Sequence, residues 1–124
     1  MNIFTVTNDV REILMRSEEI QQLIGTKIFP VIAPENTDGD FICYQRDGYK
    51  SVQSKFGVAV REPLVFVNVV SEDYDRSQQI ASAVCDALEG IYKDPYMRIT
   101  LEDSSEDYED DKYIQIMLFS ISNQ

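Results

Sequence analysis

The chain carries two cysteines, Cys43 and Cys85, twenty-two acidic residues and no histidine. Without histidine it lacks the commonest general base, the usual activator of serine and cysteine nucleophiles, and the commonest zinc ligand. Neither thiol has an identifiable partner that would lower its pKa, so thiol catalysis has no support. The carboxylates are densest at 103–111, where Asp103, Glu106, Asp107, Glu109, Asp110 and Asp111 offer hard oxygen ligands at close spacing. That spacing does not fit the calcium loop D-x-[DN]-x-[DN]-G, and no glycine supplies its turn. The run therefore reads as a solvated hairpin loop that binds no metal. No G-x-x-x-x-G-K-[ST] or G-x-G-x-x-G is present, so nothing cradles a nucleotide phosphate. These residues describe no familiar enzyme and require no cofactor.

Composition narrows the partners. Eleven basic residues against twenty-two acidic ones give a formal net charge of −11, which opposes a phosphate backbone. The lysines and arginines are scattered singly, so no cluster would dock on anionic lipid. The first residues lack the basic and apolar segments of a signal peptide, and no apolar run approaches the ~20 residues of a membrane span. The expectation is a soluble, unexported protein with its cysteines reduced. At 124 residues and 44% hydrophobic, residues 1–124 suffice for one domain with one core.

The elements follow from periodicity. Thr7 or Asn8 can cap a first helix whose buried stripe is Val10, Ile13, Leu14, Ile20, Leu23 and Ile24. Ser17 can restart that helix, as one bent helix or two short ones, and Gly25 stops it. Residues 27–32 are β-branched and broken by Pro30, an edge strand or an extended lead-in. Phe41 to Tyr49 and Val58 to Val70 read as strands of a long hairpin with a mobile tip. Ser71 or Asp73 can cap a second helix whose apolar face is Ile80, Val84, Leu88 and Ile91. Cys85 on this helix is expected to pack on the strand that holds Cys43. Met97, Ile99 and Leu101 alternate with polar residues, and Tyr113 to Ile121 forms a last strand. The fold class is α+β, a mixed, mostly antiparallel sheet of four or five strands with two helices on one face, in the order α-β-β-β-α-β-β.

The connection between Asp47 and Arg61 is too long for a tight turn and mixes polar residues with exposed aromatics. Tyr49, Lys50, Lys55 and Phe56 are the candidate interface residues. An arm that orders against a neighbouring subunit or a tail tube would explain the mixture, and an ordinary floppy hairpin tip is the alternative. Tyr44 and Tyr113 could likewise face a neighbour.

Several stretches, set in order, resemble a known family. They are Leu23-Ile24-Gly25-Thr26-Lys27-Ile28-Phe29-Pro30, Ala33-Pro34-Glu35-Asn36, Phe41-Ile42-Cys43-Tyr44, Val65-Phe66-Val67-Asn68-Val69-Val70-Ser71, and the helix from Ile80 to Gly90. Their sequence is similar to that of the tail-completion, or tail-terminator, proteins of tailed bacteriophages. The resemblance covers residues 20–91; Gly39-Asp40 stands where a proline commonly precedes the aromatic, and 103–111 has no counterpart. It implies a structural subunit of a phage or prophage tail, forming a homo-oligomeric ring, expected to be a hexamer. That ring would end the tail tube and join it to the head connector, contacting the tail-tube and head-tail connector proteins. DNA would pass through an acidic lumen without specific binding. The expected location is the virion tail, after assembly in the host bacterial cytoplasm, with no membrane involved. The alternative is a cytosolic binding or adaptor domain of ferredoxin-like build, without catalysis.

Overall fold

The computed structural model describes residues 2–123. Two helices open the chain, α1 (Val6–Arg16) and α2 (Glu18–Ile24), followed by β1 (Ile28–Pro30), β2 (Phe41–Gln53) and β3 (Ala59–Ser71). Helix α3 (Tyr74–Leu88) leads into β4 (Gly90–Tyr92), β5 (Met97–Glu109) and β6 (Lys112–Ser122). The strands form one sheet in the order β1-β2-β3-β6-β5-β4, with β1 parallel to β2 and the remaining pairs antiparallel.

Three helices and six strands replace the expected two helices and four or five strands. The first helix is broken at Ser17, whose extended backbone ends α1 while its hydroxyl accepts the Ile20 N–H and caps α2. Gly25, in the left-handed region, then stops α2. At the front of α1 the capping position is Thr5, earlier than Thr7 or Asn8, and its side chain makes no capping bond. The sixth strand, β4, hides at the end of α3, where Gly90 and Ile91 continue the helical apolar spacing. Ile91 pairs with Arg98 and is 63% exposed, so it does not face the sheet with Ile80, Val84 and Leu88. The element order also departs from the β-α-β-β-α-β of a ferredoxin-like build.

The larger correction concerns 103–111. Residues 103–109 are strand and only 110 and 111 are turn: β5 runs on through Glu109, paired with β6 as far as Glu109 opposite Lys112. Backbone hydrogen bonds are indifferent to side-chain charge, and an edge of the sheet lets every carboxylate reach water. Asp110 and Asp111 both have positive φ and close a two-residue turn without glycine, a geometry that aspartate tolerates.

All three helices contact one another and cover the same face of the sheet. Val6, Val10, Leu14 and Ile20 from the first pair, and Ile80, Val84 and Leu88 from α3, meet Ile42, Val65, Val67, Val69, Ile99, Phe119 and Ile121, all fully buried or nearly so. Ser77 donates its hydroxyl to the Tyr74 carbonyl and accepts from Gln115, which also donates to Glu106, so this polar cluster is satisfied. Alternation puts Cys43 and Asn68 on the opposite face. Cys85, on the helical side, therefore does not pack on Cys43.

Candidate assembly surface

The two long hairpins point in opposite directions. β3 is paired with β6 only from Leu64 to Ser71, and β2 is paired with β3 all the way to Gln53 opposite Ala59. Beyond Leu64 the β2–β3 ribbon therefore leaves the sheet and pairs only with itself. Pro63, which has no N–H to give a ladder, stands where β3 departs. A register shift between Arg46 and Tyr49, with Gly48 at φ 99°, bends β2 at the same level. The ribbon's tip is the turn at Ser54, whose hydroxyl accepts from the Phe56 and Val58 N–H groups.

The structure places the four sequence-predicted interface residues along this arm, in two roles. Lys50 lies at the base, opposite Glu62, and its ammonium donates to Glu102 on β5, which also accepts from the Ser120 hydroxyl at 2.8 Å. Tyr49 is beside Lys50 in the chain, with the Arg61 guanidinium 5.4 Å from its ring centre. Lys55 and Phe56 are at the tip, where Lys55 lies 5.4 Å from the Phe56 ring centre. Phe56 is 81% exposed and Val58 61%, the apolar cap of the arm. Among the described residues, Lys55 and Arg61 have no carboxylate partner.

The Lys50–Glu102 pair braces the arm against the body. Its hydrogen bond to Lys50, then that to Ser120, holds the Glu102 carboxyl below the ordinary value of 4.5, and the same bond raises the Lys50 ammonium above 10.5. The glutamate's contribution is present above 4.5 and lost as pH falls through its lower folded value; the lysine's is present below 10.5 and lost as pH rises through its higher one. Both side chains are about one-third exposed, so solvent screening limits the pair to ~0.2–1 kcal/mol. Lys50→Met is expected to cost about that much at neutral pH and to lose its penalty in acid, once Glu102 is protonated. Urea midpoints of parent and variant measured from pH 3 to 8 would show it; a constant gap across that range would refute the brace.

Sequence reasoning missed a second surface, on the sheet face that no helix covers. Phe41, Cys43, Asn68, Val70 and Ile114 floor a groove of about 560 Å³, walled by the loop 31–37 and by Glu109 and Lys112 at the β5–β6 turn. Arg76 holds that loop region in place, donating to Asp40 and to the Leu23 carbonyl, while the Lys27 ammonium donates to the Asp38 carbonyl. Val31 and Ile32 on the wall are 63% and 78% exposed. The Asn68 Oδ1 is buried without a hydrogen-bond partner among the described residues. Burial raises the Cys43 thiol pKa, and burial followed by the charges of Glu89 and Asp86 raises that of Cys85, so neither is poised as a nucleophile. The available signal was Val65 to Val70, apolar at nearly every position, the pattern of a strand covered on both faces.

Charge divides the two ends. Residues 50–61 contain Lys50, Lys55 and Arg61 and no acid, whereas 103–111 contains six acids and no base. The carboxylates do not gather into a group of three or more that could hold one ion among the described residues.

No protein-family model matches this sequence, and no curated protein sequence is similar to it. The fold is shared with a chain in the virion of a native gene transfer agent particle, at a TM-score of 0.69 and 17% identity, over 90% of this chain and 89% of the other.

Proposed function

We propose that this protein is a non-catalytic structural subunit of a phage-like virion, which forms a ring at the end of the tail tube and joins it to the head connector. The observation that carries the reading is the likeness to a virion chain over nearly the full length of both proteins.

The surfaces are of the kind assembly requires. The body has a fully formed core on the helical side, yet the other sheet face carries a groove and the arm carries exposed apolar side chains that a solitary domain has little reason to keep. The finer assignment, to the tail-completion position with a hexameric ring, rests on the ordered stretches between residues 20 and 91. It names as partners further copies of the chain, a tail-tube protein and a head-tail connector protein. The net charge of −11 suits a lumen through which DNA passes without adhering.

Native mass measurement of the purified protein over a range of concentrations tests this reading. A closed species of fixed copy number that grows with concentration is expected, and electron microscopy should show it as a ring. A chain that remains a monomer throughout the range, alone and when mixed with tail tubes, would overturn the proposal.

A further inference from the structure

We infer that the tip of the β2–β3 arm of one copy seats in the open-face groove of the next copy, Phe56 and Val58 against Phe41, Cys43, Val70 and Ile114. This rests on the ring reading and specifies its contact. The tip and the groove occupy opposite ends of the same two strands: the groove lies at the start of β2 and the end of β3, and the tip joins the other ends. About ten residues of strand separate Cys43 and Asn68 in the groove from the tip, roughly 33 Å at ~3.3 Å per residue. An arm therefore cannot fill its own groove. The contact must join unlike surfaces of two copies, a heterologous interface that closes into a ring when repeated by rotation.

Three observations fit tip to groove. Each surface offers uncovered apolar side chains: Phe56 and Val58 are exposed on the tip, and Phe41, Val70 and Ile114 lie among the polar residues of a groove on the sheet face away from the helices. Their charges are partly complementary: among the described residues Lys55 and Arg61 on the arm lack acid partners, and the β5–β6 turn beside the groove carries Glu109, Asp110 and Asp111 against one base, Lys112, which lines the groove with Glu109. The groove also holds the unpartnered Asn68 Oδ1, an acceptor that a donor arriving with the tip would satisfy, and the Lys55 ammonium sits beside Phe56.

Cys43 in the groove makes a direct test possible. In a Cys85→Ser background, Ala59→Cys places a thiol on the tip beside Val58, keeps Phe56 and Val58 in place, and has Cys43 of a neighbouring copy as its expected partner. Ala59 is exposed at the end of the ribbon, opposite Gln53, so the substitution leaves the fold intact. Mild oxidation is expected to give covalent dimers and a ladder of higher multimers on a non-reducing gel, and none when Cys43→Ser is added. Lys55→Glu combined with Arg61→Glu is expected to raise the concentration for assembly at least tenfold, with the parent's own assembly weakening as salt is added. Particles of ring mass that yield no cross-link, or cross-link equally without Cys43, would overturn the arm-in-groove contact while leaving the ring standing. A chain that never assembles would instead overturn the ring and this contact together.

Discussion

Val84→Asp is expected to abolish folding. Val84 is fully buried in the middle of α3, between the sheet and the other two helices, where Val65, Val67 and Phe119 are also fully buried. A carboxylate placed there has no cation or donor to pair with, and it must either shed its charge or bring water into the core. Either route costs several kcal/mol, a large fraction of the ~5–15 kcal/mol that holds an ordinary domain together. The variant should be recovered as aggregate or, if soluble, without the cooperative thermal transition of the parent. Val84→Ala provides the calibration: it removes two methyl groups without adding charge, and should stay folded with a loss of about 1–2.5 kcal/mol. A Val84→Asp protein that melts cooperatively near the parent's midpoint would mean that α3 presents another face to the sheet.

Much of this core was legible because periodicity reports directly on burial. The stripe Val10, Ile13, Leu14, Ile20, Leu23 and Ile24, the Ser17 restart, the Gly25 stop and the Ile80-Val84-Leu88 face are all consequences of which side chains must leave water; the structure buries these apolar members except Ile13 and Leu23, which are half-buried against the core. The misreadings share a different cause. The run 103–111 reads as loop from side-chain solvation, yet what makes 103–109 strand is backbone pairing with β6, which leaves no compositional trace when both strand faces end in solvent. Gly90 to Tyr92 kept the helical apolar spacing but belong to an edge strand, because a stripe of period 3.6 cannot say where the helix that generates it stops. The groove was illegible as a site for a third reason. It is assembled from residues far apart in sequence, Val31 to Ile114, and only the register of β2, β3 and β6 brings them together. The arm was legible as an anomaly, being long, polar and aromatic, though its length as paired ribbon and the anchoring of Lys50 at its base were not.

Removal of the arm should separate folding from assembly. The register shows where to cut: Lys50 and Glu62 are directly opposed, so excising residues 51–61 and joining these two through Asn-Gly leaves a hairpin closed by a two-residue turn. The excised residues pair only with one another, and within them only Val52, Ser54 and Val60 are even half-buried. Helix packing, the β3–β6 ladder from Leu64 and the Lys50–Glu102 brace are all retained. The shortened protein is therefore expected to melt cooperatively within a few degrees of the parent, since surface changes away from packed features cost little. Its assembly should be lost, because the same excision deletes Phe56 and Val58, the exposed apolar pair, together with Lys55 and Arg61, the two arm cations that lack acid partners among the described residues. Native mass at a concentration where the parent is fully assembled reads the outcome, and thermal melting on the same sample establishes that the monomer is folded. A shortened protein that still forms the parent's particle would transfer the assembly role to the short edge strands β1 and β4, whose outer backbone groups are unpaired within the sheet.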